Sequence, residues 1–81
     1  MATIVYAGAL PEVLETGVER VELPESVTDI QGLLDWLGRR GGPWQRLPRK
    51  GAVRASVNNH LVEPGFRVTD RDRVSLAPLA W

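Results

Sequence analysis

Eighty-one residues make one domain, spanning 1–81, with a single modest core and no room for two lobes around a cleft. Hydrophobic residues at 43% and charged residues at 25% are globular values that exclude a disordered or collagen-like chain, and the lack of cysteine removes disulfides, thiolate chemistry and Cys-ligated zinc. The formal net charge is zero, yet residues 1–35 carry seven acids against the single base Arg20, and residues 36–81 carry nine bases against Glu63, Asp70 and Asp72. Folding is expected to interleave these charges on a solvated surface; the sharper reading is a dipolar domain that docks its partners electrostatically.

In chain order, Thr3 to Ala7 ("TIVYA") is β-branched and aromatic, the composition of a short buried strand, and Gly8 with Pro11 interrupts it. After Gly17, "VERVEL" places Val21 and Leu23 on one face, a half-buried strand ending at Pro24 and pairing antiparallel with the first. Thr28 with Gln31 reads as a capping box, and Ile30, Leu33, Leu34 and Leu37 fall at i, i+3, i+4 and i+7. This spacing predicts an amphipathic helix of about three turns. It should stop at "RRGG", where Arg39 and Arg40 complement its C-terminus and Gly41 takes a left-handed cap. Trp36 lies off the apolar stripe and is expected to cover a neighbouring loop.

"GGPWQRLPRKG" reads as irregular by its glycines and prolines. In "AVRASV", Val53, Ala55 and Val57 alternate with Arg54 and Ser56, which makes a third strand. Asn58 and Asn59 form a tight-turn pair, "HLV" returns as a short fourth strand closed by Pro64 and Gly65, and "RVSLA" is a last strand with Val74 and Leu76 inward. The order ββαβββ, with one main helix across a mixed sheet of about five strands, defines an α+β domain of the β-grasp, ubiquitin-like kind. The first and last strands are expected to be central neighbours.

Carried by "IVYAGALPEVLETG", the capped helix and "VRASVNNHLVEPGFRVTDRDRVSLAP", the chain resembles the small sulfur-carrier family of MoaD and ThiS over nearly its whole length. The segment from Val53 to Pro78 is the most diagnostic, although TGS domains share a related tail. The resemblance implies a carrier without a catalytic site of its own, in molybdopterin or thiamine cofactor biosynthesis. Its partners would be an E1-like activating enzyme or a protein like the molybdopterin synthase large subunit. Family members end in a Gly-Gly whose carboxylate is adenylated and converted to a thiocarboxylate. Here Pro78, Leu79, Ala80 and Trp81 stand at the end instead, Asn59 replaces a glycine after the family's "VN", and Arg71 replaces the glycine of its "DGD" turn, where it is expected to alter the turn.

Those four terminal residues are the expected partner-binding tail, either folded back to finish the core or free to plug a partner's groove. Two functions therefore stand open: a carrier with a divergent terminus, and a β-grasp binding or regulatory module that is not charged with sulfur. Gly41-Gly42 does not substitute for the missing pair, because cleavage there discards three strands. Arg39, Arg40, Arg46, Arg49 and Lys50 around Trp44 offer phosphate contacts and one stacking platform, but zero net charge and a single aromatic argue against nucleic acid. His60, the only histidine, reads as an exposed turn residue. No spacing suggests catalytic residues, a metal site or a cofactor. The opening "MATIVYAGALPEV" has no basic region, and no apolar run reaches about 18 residues, so the expectation is a cytoplasmic chain with no membrane segment.

Overall fold

The computed structural model describes residues 1–81. Its strands are β1 (Ala2–Tyr6), β2 (Val18–Val21), β3 (Val53–Val57), β4 (His60–Val62) and β5 (Arg73–Pro78). They form one sheet in the order β2-β1-β5-β3-β4, in which β1 and β5 run parallel and all other neighbours antiparallel. The first and last strands are thus central neighbours, as expected for a chain that holds both its ends in the sheet. Period-two alternation aims Ala2, Ile4 and Tyr6 of β1, Val74 and Leu76 of β5, and Ala55 and Val57 of β3 into the core.

Two helices cover that inner face. Helix α2 (Ile30–Gly38) buries Ile30, Leu33, Leu34 and Leu37, the stripe read from the sequence, against the sheet. Helix α1 (Leu10–Leu14) is a single turn that the sequence did not signal. The first strand does end before Gly8 and Pro11, and Pro11 then occupies the first turn of the helix, where a missing N–H costs nothing, while Leu10 and Leu14 at i and i+4 both reach the core.

Several local expectations are corrected. The α2 cap is Asp29, whose Oδ1 accepts from Gly32 N at 2.7 Å, rather than Thr28. Thr28 instead lends its carbonyl to Val68 N, and the backbone of Asp29 pairs with that of Arg67 in an isolated antiparallel bridge, so pairing with a distant loop fixes where the helix starts. Gln31 closes no capping box; its Nε2 donates to Asp35 Oδ1 and to the Pro48 carbonyl. At the other end Arg39 is the cap, and Gly41, at φ 83° and ψ −179°, turns the chain into a short 3-10 helix over Gly42–Arg46 where an irregular loop was expected. Strand β2 stops at Val21, and Leu23 N donates to Asp70 Oδ1 beyond it. Strand β5 continues through Pro78, which pairs with Val53.

Candidate functional site

The expected tail leaves the sheet from its middle strand. After Pro78, the N–H groups of Leu79 and Ala80 both donate to the Ala52 carbonyl, at 2.8 and 3.2 Å. Gly8 lies against Pro78: a Cβ there would meet Pro78 Cδ at 3.0 Å, and its φ of +61° also favours glycine. Leu79 stays 56% exposed, whereas Trp81 folds back and packs on the core cluster. Arg46 holds it there, donating from Nη1 to the Trp81 backbone oxygen at 2.8 Å with its guanidinium carbon 5.7 Å from the indole centroid. The four tail residues therefore divide between two fates: Trp81 completes the core, and Leu79 is offered to solvent.

The basic loop is partly committed to the fold. Arg40 pairs with Glu19 at 2.8 Å and lies 4.4 Å over the Trp44 ring. Trp44 in turn meets Tyr6 edge to face at 5.5 Å, and the Tyr6 hydroxyl donates to Glu19 Oε1 at 2.7 Å. Burial, followed by that hydrogen bond and the Glu19 charge, pushes the Tyr6 phenol far above its ordinary range. Trp44 is thus a core cover sealed by Arg40, not an open platform for a base. Trp36 is likewise half-buried against the core.

The diagnostic turns are tied to each other. Asn58 and Asn59 adopt positive φ of 50° and 71°, the conformation glycine would otherwise supply. Asn58 Nδ2 donates to Asp72 Oδ1 and Asn58 Oδ1 accepts from Arg73 N, both at 3.0 Å, while Asp72 Oδ2 accepts from Thr69 N at 2.8 Å. Arg71 adopts no positive φ, so the turn accommodates it without strain, and its N–H donates to Thr69 Oγ1 at 3.3 Å. Asp70 accepts from Leu23 N and from the Met1 amino group, and these bonds hold its carboxyl below the ordinary range. His60 is exposed at the start of β4.

One surface was not singled out from the sequence. The sheet face opposite the helices is uncovered, and the register lays Val18, Val5, Ser75, Ser56 and Leu61 across it in one row from β2 to β4. The row ends in Val18 and Leu61, 58% and 63% exposed. The alternation in each strand hinted at these positions, but only the register joins them.

A mixed five-stranded sheet with parallel central strands and one principal helix on a single face defines a β-grasp, ubiquitin-like protein. The model of the ThiS family matches residues 4–80, and the chain belongs to that family. A Pyrococcus furiosus protein assigned as molybdopterin converting factor subunit 1 has the same fold, with a TM-score of 0.75, 19% identity, and 98% of this chain and 97% of that one covered. Small archaeal modifier protein 1 of Haloferax volcanii aligns with a TM-score of 0.67, 20% identity, and 98% and 97% coverage. No curated protein matches the sequence. No helix is long and apolar enough to cross a membrane.

Proposed function

We propose that this chain is a carrier of the sulfur-carrier type, which works by presenting its C-terminal segment to protein partners and has no catalytic site of its own. The observation that carries the reading is the family match over 4–80 on a fold whose final strand is central and delivers the tail from the middle of the sheet. In this reading an E1-like activating enzyme adenylates a terminal carboxylate, a sulfur nucleophile displaces AMP, and a protein like the molybdopterin synthase large subunit receives the sulfur. Leu79, exposed on a groove it shares with Leu34, Val53 and Leu61, gives such partners an apolar hold at the base of the tail. The pathway, molybdopterin or thiamine, is a finer step of the same proposal, and the place of work is the cytoplasm.

A second reading is favoured by one contact: Arg46 and the core hold Trp81 against the body, as suits a binding or regulatory module that is not charged. Intact-mass measurement after incubation with ATP, an E1-like enzyme and a sulfur donor separates the two, with a variant extended by Gly-Gly in parallel. Replacement of one oxygen by sulfur on the chain itself is the expected result. Reaction of the extended variant alone selects the binding module, and reaction of neither overturns the carrier reading.

A further inference from the structure

The two edges of the sheet are unequal. Antiparallel strands turn their backbone groups alternately toward a neighbour and away from it, so one bond sets the phase of a whole strand. Tyr6 N donates to the Gly17 carbonyl at 2.8 Å, and the register carries that phase on: Glu19 and Val21 face β1, as Leu23 does beyond them in donating to Asp70. Val18, Arg20 and Glu22 therefore aim their N–H and C=O groups away from the sheet, and none of the turn, loop and cap bonds takes them up. At the other edge β4 spans only His60–Val62, and its hairpin turns His60 and Val62 toward β3. Glu63 then lends its carbonyl to Phe66, and Pro64 ends the line. Leu61 alone is fully open there, against Val18, Arg20 and Glu22 along β2.

Strand β2 has neither the proline nor the lysine that commonly blunts an edge, and its side chains complement themselves when the strand meets its own copy. Consider two copies laid antiparallel about a two-fold axis. Centring the axis on Glu19, Arg20 or Glu22 sets two like charges face to face, which destabilises a strand pair. Centring it on Val18 runs the overlap back to Glu15 and Gly17, before the strand begins. Centred on Val21, Arg20 of each copy lies opposite Glu22 of the other in a hydrogen-bonded pair, with Cα atoms about 5.5 Å apart. Within one chain the same two residues are exposed on one face, about 7 Å apart along the strand, and belong to neither ion pair, Met1–Asp70 or Arg40–Glu19. Arg20 is also the single base among the first 35 residues, so its nearest unused carboxylate is that of Glu22.

We infer that a second copy of this chain pairs antiparallel along β2 about a two-fold axis at Val21, with Arg20 of each copy against Glu22 of the other. The interface is isologous, and it joins two five-stranded sheets into one continuous sheet. Each bonded pair exchanges two N–H···O bonds, which satisfies the open backbone of Arg20 and Glu22 in both copies. Guanidinium forks meet carboxylates bidentately, so the two ion pairs fix the register as well as adding attraction. Glu19 faces inward and keeps Tyr6 and Arg40. Strand β5 lies two places in from the junction on each copy, so both tails stay free and, by the symmetry, leave in opposite directions. The contact is narrow and its charges are exposed, so the dimer depends on concentration and on salt. The inference stands on the strand edge alone, whichever function the tail serves.

Sedimentation equilibrium of the intact chain at low salt, from micromolar to millimolar concentration, tests it with four variants whose core amide shifts certify their fold. The wild type is expected to dimerise as concentration rises. R20E and E22R each set like charges opposite one another and should weaken the dimer by about tenfold or more. R20E/E22R exchanges the two charges and should return to within about threefold of the wild type, because the pairing is symmetric. R20E mixed with an equal amount of E22R should associate where neither does alone. R54E makes the same change in net charge on β3 and should dimerise like the wild type. In a mixture of ¹³C-labelled and unlabelled chains, an isotope-filtered NOE between the Val21 Hα protons of the two copies is expected, since they form the close non-hydrogen-bonded pair. A monomer throughout, a dimer indifferent to R20E and E22R, or a swap and a mixture that restore nothing each overturn the inference.

Discussion

Replacing Tyr6 with Phe removes one oxygen and leaves the ring on Trp44. That oxygen donates at 2.7 Å to Glu19 Oε1, the same carboxylate oxygen that Arg40 meets at 2.8 Å, and Tyr6 is only 3% exposed. Hydrogen bonds to charged acceptors contribute about 1.5–3 kcal/mol, and Glu19 keeps Arg40 after the substitution, so the expected loss is near the low end, about 1.5 kcal/mol. For a domain of this size each kcal/mol moves Tm by about 4–8 °C, giving a fall of about 6–12 °C at neutral pH. The pH dependence adds a second readout. The folded phenol holds its proton far more tightly than the free side chain does, so the wild type has this contribution in full below about pH 10 and loses it as pH rises further. Tyr6→Phe should therefore be less stable near neutrality and show a flatter alkaline limb. Urea unfolding followed by tryptophan fluorescence from pH 7 to 11 checks both. A neutral-pH stability within a few tenths of a kcal/mol of wild type, with the alkaline limb intact, would refute the account of this corner.

Asp29→Ala removes the α2 cap and should cost about 1 kcal/mol, read from the urea midpoint, whereas Thr28→Ala, whose side chain caps nothing, should change little. Leu33→Ala empties a fully buried position under the sheet and should cost about 2–5 kcal/mol; a smaller loss by calorimetry would mean the core refills. Asp70→Asn should flatten the acid limb of stability: the depressed carboxyl contributes above its unfolded pKa and loses that contribution as pH falls through its folded value, so a thermal-melt series from pH 7 downward should converge for the two proteins.

The strands and α2 were legible because each has enough residues to express its own period: Val53, Ala55 and Val57 alternate, and Ile30 to Leu37 form a stripe. Helix α1 was not, since five residues cannot display a 3.6-residue repeat, and a proline in them reads equally as a break. The shift from Thr28 to Asp29 was beyond local reading as well. Both are good caps, and the decision belongs to Val68 and Arg67 about 40 residues away. The site shares this difficulty. An apolar tail was evident, but its division between a seated Trp81 and a free Leu79 depends on Arg46, which is 35 residues distant in sequence. Arg20 and Glu22 are unremarkable as separate letters; pairing register alone turns both outward along one edge.

The position of β5 has a mechanical consequence. It is hydrogen-bonded on both edges, to β1 in parallel and to β3 antiparallel, and the tail is its direct continuation. A pull on the tail runs along the strand, at right angles to the antiparallel bonds, so the ladder is loaded in shear and its bonds bear the force together. A force between the two ends of the chain drags β1 and β5 in opposite directions, which again shears their ladder instead of unzipping it. The tail is therefore a tow-line fixed to a strand held on both edges: a pull on it moves the whole domain and leaves it folded.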